Sequence, residues 1–331
     1  DDTILTKNGQ LFQTIKITGF SYEIVGQKKK DLRYVVRQAI KKNIPDSSYA
    51  IWIHTIRRKK DISPSGSYEI DFCKKLNDNW NQLHQWDKKF VNELYITIIK
   101  EGHDYRVSAQ NILLSTSFFI TKNNEKTFLA KSYKTLSHTV DNIITDLSEF
   151  GAEKLGIYKR NGIYYSRILR FLGKIVNLED KDRHMIDEDL ANYIPYCTIG
   201  FGKNTIEVND FDRKHFAAIY SVKEYSELAT QILDDFLKLP QEFIFSQTLD
   251  YINNEEALTS FKYQKEIIRI SGDKKFSKMC GLEDITSSDH QKETDFGEHQ
   301  LTIMFIADNI EQLEDQVNKA AKTLVSFGLP I

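Results

Sequence analysis

Glycine, proline and cysteine are all scarce in this sequence of 331 residues, which holds 15 Gly, 5 Pro and 3 Cys. Because β-sandwiches and propellers need turn residues at short intervals, this scarcity favours long helices and strands joined by polar turns. The cysteines Cys73, Cys197 and Cys280 are odd in number and far apart, which argues against a disulfide framework and against a Cys-x-x-Cys zinc site. We therefore expect a protein of a reducing compartment, the cytoplasm.

Long apolar runs and an excess of one charge are also missing. The longest nearly apolar stretches, residues 111–120 and 302–307, fall well short of the ~18 residues that cross a bilayer. The 45 basic and 47 acidic residues leave a net charge of −2, so no overall field attracts nucleic acid or anionic lipid. The sequence starts at Asp1 and stops just after a predicted helix, and we expect a fragment of a longer protein.

The spacing of apolar residues predicts the same order of elements, ββαβαβ, near both ends of the chain. We therefore predict an α+β (mixed α/β) fold with two ferredoxin-like ββαβαβ units. The first unit would span residues 1–104 and the second residues 197–331. A mainly helical connector, residues 105–196, would lie between them.

The predicted connector contains a regular apolar stripe with alternating steps of four and three residues, typical of a heptad repeat. The stripe consists of Leu129, Tyr133, Leu136, Val140, Ile143 and Leu147, followed by Phe150. Two interpretations stay open. The stripe faces a partner, as a coiled coil or a docking helix does, or it belongs to a long helix packed inside the chain against residues 164–175.

No catalytic motif stands out in the sequence, and we predict no catalytic, cofactor-binding or metal-binding residue. The pair Gly202-Lys203 resembles part of a phosphate-binding loop, but Cys197 replaces the first glycine and Asn204 replaces the Ser or Thr that holds magnesium. We interpret this segment as a turn into a strand. The sequence also lacks Gly-x-Gly-x-x-Gly, Gly-x-Ser-x-Gly and His-x3-His.

A cluster of four basic residues, Arg57, Arg58, Lys59 and Lys60, follows a predicted strand. With Trp52 and Trp86 nearby for stacking, the cluster could contact single-stranded DNA. The alternative is a solvated strand end, which the neutral overall charge favours, and Trp52 falls in a run predicted to be core.

Several segments, in order, resemble the VirB/TrbE/CagE family of type IV secretion ATPases. They are YAIWIHTIRRK (49–59), FVNELYITI (90–98), FLGKIVN (171–177), FGKNTIEV (201–208), LPQEFIFSQTLDYI (239–252) and FGEHQLTIMFIADNIEQLE (296–314). The resemblance implies that a RecA-like motor domain, with its ATP and magnesium, follows the region seen here.

The resemblance also implies a bacterial protein that is cytoplasmic and peripheral to the inner membrane. It implies self-association, as a hexamer in the full protein, and contacts with other secretion-system subunits. On this basis we expect a non-catalytic N-terminal domain that mediates assembly and couples the motor to transport of DNA or protein.

Overall fold

The described part of the chain contains twelve strands and seven helices. The computed structural model describes residues 2–19, 29–44, 46–60, 66–84, 89–101, 122–222, 236–271 and 296–326. The strands are β1 (Ile4–Leu5), β2 (Leu11–Ile17), β3 (Tyr49–Lys59), β4 (Phe90–Lys100), β5 (Ala152–Lys154), β6 (Ile157–Arg160), β7 (Ile163–Ser166), β8 (Thr198–Phe201), β9 (Ile206–Asn209), β10 (Lys214–Ser221), β11 (Glu242–Ile252) and β12 (Phe296–Ala307). The helices are α1 (Lys29–Asn43), α2 (Asp71–His84), α3 (Lys122–Asp146), α4 (Arg167–Val176), α5 (Leu190–Tyr193), α6 (Asn254–Ser271) and α7 (Ile310–Ser326).

A single antiparallel sheet of ten strands runs through both halves of the chain. Its order is β1-β2-β4-β3-β11-β12-β10-β9-β8, and β5 pairs with β2. The predicted α+β class is confirmed. The two predicted units do not form separate sheets, because β3 and β11 pair along eight residues, from Arg57 opposite Phe243 to Ala50 opposite Asp250. Both strands are rich in apolar residues, and pairing them removes two hydrophobic sheet edges from solvent.

The two halves repeat one strand order. In the N-terminal half the third strand of the repeat, β4, lies between β2 and β3, and in the C-terminal half β12 lies between β10 and β11. The halves therefore meet at β3 and β11 in an approximately two-fold arrangement. A ferredoxin-like fold of each unit stays a prediction.

One face of the sheet carries two neighbouring cores. In the N-terminal half, α1 and α3 cover β2, β3 and β4 through side chains such as Ile15, Ile51 and Ile98. In the C-terminal half, α7 and Phe236 cover β10, β11 and β12. Within the predicted connector, residues 105–196, α3 packs on the sheet and β5 pairs with β2.

The opposite face of the sheet is covered where its two halves meet. Helix α4 buries Ile168, Leu169 and Phe171 against Tyr95 of β4 and Ile244 of β11. The Ser166 hydroxyl caps this helix by accepting a hydrogen bond from the Leu169 amide at 3.3 Å. Because α3 lies on the other face, the interpretation that α3 packs against residues 164–175 is wrong.

Candidate functional site

The four basic residues predicted as one patch point in different directions, because successive side chains of a strand alternate between the two faces of a sheet. The Arg57 side chain is buried, and its Nε donates to the Leu239 carbonyl oxygen at 2.8 Å. Its Nη1 donates to Asn92 Oδ1 at 2.9 Å, and the guanidinium lies 5.0 Å from the centre of the Phe90 ring. Burial lowers the pKa of Arg57. Arg57 therefore joins the two halves of the molecule and is not available to a ligand.

Arg58 lies on the opposite face of β3 and is also engaged within the chain. It donates to the Leu178 carbonyl oxygen, and its Nε lies 3.5 Å from Glu242 Oε1. Lys59 and Lys60 are exposed. The prediction of a four-residue basic surface is therefore wrong, since only the two lysines are free to meet solvent.

The two tryptophans proposed for stacking do not form a platform with the patch. Trp52 is 43% exposed, so its predicted core position is wrong, and it shares the face of Arg58 but lies six residues earlier on β3. Trp86 lies outside the described residues.

A charged cleft of about 630 Å³ lies beside Arg58 where the halves meet, and the buried Lys174 is one of the residues that line it. The Lys174 Nζ atom lies 2.6 Å from Glu93 Oε2 and 3.2 Å from Asp180 Oδ2. The other oxygen of that carboxylate, Asp180 Oδ1, lies 2.5 Å from Arg170 Nε. The Tyr95 hydroxyl donates to Glu93 Oε2 at 3.1 Å.

The pKa shifts in this cleft follow from these pairs. Burial raises the pKa of Glu93, but the hydrogen bond and charge of Lys174, helped by Lys16 and Tyr95, outweigh burial and hold that pKa below its ordinary value. Burial likewise opposes ionisation of Asp180, yet Arg170 and Lys174 lower its pKa to about 2. Burial and the Glu93 charge raise the pKa of Tyr95. Each carboxylate is thus held ionised by a cation, as in a structural network.

Sequence reasoning missed Lys174. It lies on α4 between Gly173 and Ile175, among residues that face the sheet, so its position predicts a buried cation. A lysine inside an apolar helix face is the pattern that could have revealed it, because a buried charge needs a partner of opposite sign.

A second titratable group, His54, is half-buried and faces a small apolar cavity of about 180 Å³ under α4. Its ring packs edge-on against Phe171, with ring centres 5.5 Å apart. Burial lowers the pKa of His54 to about 4, so the imidazole is neutral at pH 7. Among the described residues, no group of three or more His, Cys, Asp or Glu side chains is placed to bind a metal.

The heptad stripe is mostly interior. Leu136, Val140, Ile143 and Leu147 are fully buried against β2 and β4, so the prediction that they face a partner is wrong. Their apolar surface is covered by the chain's own sheet. At the start of the stripe, Leu129 is half-buried and Tyr133 is exposed, and only these two could meet another molecule.

The segment that resembled a phosphate-binding loop is a hairpin turn, as predicted. Gly202 N donates to the Thr205 carbonyl oxygen at 2.8 Å, which closes the turn between β8 and β9.

Exposed apolar surface is instead concentrated on two helices, each inserted between the second and third strands of its half. Helix α2 exposes Phe72, Leu76 and Leu83, which share one face at helical spacing. Helix α6 exposes Tyr263, Ile267 and Ile270 in the same manner. Monomeric proteins seldom leave such stripes in water, so both helices are candidate interaction surfaces. None of the helices in the described ranges combines the length and hydropathy needed to span a bilayer.

Comparison with known proteins agrees with the resemblance seen in the sequence. Residues 2–105 match the N-terminal domain of the type IV secretion system ATPase VirB4/TrbE. The type IV secretion system protein virB4 of Bartonella henselae is 21% identical over 99% of the chain and 42% of its own length. Its counterpart from Bartonella quintana is 22% identical over 88% of the chain and 37% of its length, and protein virB4 of Agrobacterium fabrum is 19% identical over 99% and 41%.

The chain thus spans about two fifths of the length of the curated relatives it matches. A second family match covers residues 153–330, which is more than half of the chain, and its description is "CagE, TrbE, VirB family, component of type IV transporter system". This protein therefore belongs to the CagE, TrbE, VirB family of type IV transporter components.

Proposed function

We propose that this chain is the N-terminal assembly and coupling region of a type IV secretion ATPase, a protein that energises transport of DNA or protein across the bacterial envelope. The observation that carries the proposal is the continuous sheet across both halves, which leaves the apolar stripes of α2 and α6 on the surface. A scaffold fixed by a shared sheet and a buried ion network can hold two docking helices in a constant relative position.

The partners of this region would be other subunits of the secretion system at the inner membrane, with the protein itself cytoplasmic and peripheral. Self-association, as a hexamer in the full protein, belongs to the same proposal. ATP and magnesium would bind in a motor domain outside these 331 residues. The relatives named as type IV secretion system proteins support this proposal, since they are more than twice as long as the chain.

Co-purification tests the proposal. The chain carrying an affinity tag is expressed with the other secretion subunits of its own system, and we expect those subunits to be retained in mild detergent. Replacing Ile267 and Ile270 by Glu should reduce retention, because charges then interrupt the α6 stripe. The change Gln264→Glu adds the same group to an exposed position beside the stripe and serves as the control.

Two outcomes would contradict the proposal. Retention of no subunit by the unaltered chain would remove the assembly role. Saturable ATP hydrolysis by the purified chain would show that the region is itself catalytic.

Single-stranded DNA contact is the competing function raised by the sequence, and no structural observation favours it. Arg57 and Arg58 are engaged within the chain, which leaves Lys59 and Lys60. Two phosphate contacts on a single strand give a slope of log affinity against log salt of only about −1.4. A titration with a slope of that size or smaller fits incidental contact, whereas a much steeper slope would restore the DNA function.

A further inference from the structure

The small cavity under α4 has the size and lining of a site for one aromatic ring. Its volume is about 180 Å³. Its walls are mostly apolar and include Phe12, Trp52, Ile99, Phe171, Leu172 and Ile175. Pockets for drug-sized ligands start at about 300 Å³, whereas an engineered apolar cavity of about 150 Å³ binds benzene. The volume therefore suits a single ring with a small substituent.

Two hydroxyls that line the cavity are already engaged, and one ring nitrogen is not. Thr6 Oγ1 accepts a hydrogen bond from the Gln10 amide at 3.0 Å, and Thr97 Oγ1 lies 3.0 Å from Thr14 Oγ1. His54 Nδ1 is buried and has no hydrogen-bond partner among the described residues. A buried polar atom without a partner is unfavourable, so a ligand that pairs with it gains affinity.

The chemistry of the imidazole narrows the class of ligand. Burial lowers the pKa of His54 to about 4, so the ring is neutral at pH 7. One nitrogen of a neutral imidazole donates and the other accepts, and a hydroxyl pairs with Nδ1 in either tautomer because it can do both. None of the described residues that line the cavity is Asp, Glu, Lys or Arg, so a charged ligand would lack a counter-ion.

The cavity is open on the side of Trp52, whose side chain lines it and is 43% exposed. A wider groove of about 570 Å³ lies next to the cavity and shares Thr6, Phe12 and Leu172 with it. A ring can therefore reach His54 as a free small molecule or as a side chain of a polypeptide that lies in the groove.

We propose that this cavity binds a phenolic ring, which enters beside Trp52 and forms one hydrogen bond between its hydroxyl and His54 Nδ1. The ring belongs to a small phenol or to a tyrosine side chain of another chain, since both present the same group. This site is separate from the helices α2 and α6 of the assembly proposal, and neither proposal depends on the other.

An NMR titration that observes the ligand tests the inference with the 331-residue chain. We expect p-cresol, which has the ring and hydroxyl of tyrosine, to bind saturably with a dissociation constant at or below about 1 mM. His54→Leu removes the nitrogen and keeps the wall apolar. The affinity of p-cresol relative to toluene should then fall about tenfold, the worth of one hydrogen bond. Measuring the ratio cancels the contribution of the ring, which both compounds share.

The control variant His138→Leu makes the same replacement at an exposed position of α3, on the other face of the sheet. It should leave the ratio within about twofold of that of the unaltered chain. A further variant closes the cavity without changing His54. Val176→Phe enlarges a side chain of the wall and should weaken the binding of both compounds at least about tenfold. Melting temperatures show which variants fold, and if Val176→Phe does not, the ratio measured with His54→Leu decides.

N-acetyltyrosinamide distinguishes the two sources of the ring. If it binds as p-cresol does, the site accepts a tyrosine side chain, and if only p-cresol binds, the site takes a small phenol. The inference is overturned if p-cresol does not saturate the chain or if His54→Leu keeps the affinity ratio of the unaltered chain. No other secretion subunit is present in this titration, so its failure leaves the assembly role standing.

Discussion

Lys174 Nζ lies 2.6 Å from Glu93 Oε2, with only 5% of the lysine side chain exposed, and this pair ties α4 to β4 at the junction of the two halves. Breaking a buried pair from one side leaves an uncompensated charge, so Lys174→Met should lower the free energy of unfolding by about 3 kcal/mol. Urea denaturation measures the change. The exposed pair Lys319 and Asp315 offers the control, since Lys319→Met should cost less than about 0.5 kcal/mol. Equal effects of the two changes would contradict the structural role of Lys174.

Acid should weaken the same cluster in a defined range of pH. The pKa of Asp180 is lowered to about 2 in the folded chain, below its ordinary value of 3.8. A carboxylate with a lowered folded pKa stabilises the fold fully above its ordinary pKa, and that contribution is lost as the pH falls from about 4 to about 2. Asp180→Asn should therefore flatten the stability of the protein against pH in that range. An unchanged slope would contradict the pairing.

His54 should produce a separate dependence at milder pH. Its folded pKa of about 4 lies below the ordinary 6.5, so the unfolded chain binds more protons between these values. Stability should fall as the pH decreases from 6.5 to 4, by at most about 3 kcal/mol. His54→Leu should remove this loss, and comparison of urea midpoints at pH 7 and pH 5 measures it. An NMR titration with a midpoint near 6.5 would contradict the burial of the imidazole.

Replacement of Arg57 should affect folding and leave any nucleic-acid contact unchanged. The Arg57→Ala variant loses the hydrogen bonds to Leu239 and Asn92 and the contact with Phe90, and we expect a loss of about 2 to 4 kcal/mol. Lys60→Ala, at the exposed end of the same strand, should cost less than about 0.5 kcal/mol. Thermal unfolding of both variants makes the comparison, and a stable Arg57→Ala protein would contradict the packing described for β3.

The heptad stripe allows a direct test of core against surface. Leu136→Ala removes a fully buried side chain and should cost about 3 kcal/mol, whereas Tyr133→Ala at an exposed position of the same helix should cost less than about 1 kcal/mol. Urea denaturation measures both. If the two variants were equally stable, α3 would not be packed on β2 and β4 in solution.

The described elements show where local sequence pattern was sufficient. The apolar runs at residues 49–56 and 94–99 predict two strands, and the observed strands, β3 and β4, contain them and extend beyond them. The steps of four and three in α3 marked the face that carries its apolar residues. The same steps could not say what covers that face. Leu136 has the same spacing whether its neighbour is another molecule or Ile15 of its own chain, because periodicity describes one segment only.

Side-chain roles were the harder part of the prediction. Arg57 and Arg58 look equivalent in sequence, but β3 directs one to Leu239 and the other to Glu242. The strand alternation predicts opposite faces, and only the position of distant segments decides which face is buried. The role of Lys174 was missed for the same reason, because its partner Glu93 is 81 residues away in the sequence.

The sequence by itself determined the class of secondary structure, the repeated order of elements and the family. These properties depend on local periodicity and on segments read in order along one chain. Only the tertiary structure decided that β3 pairs with β11, that α3 is internal and that α2 stands exposed. Each of these depends on contacts between residues far apart in sequence, whose free energy is set by shape and charge complementarity that no single segment contains.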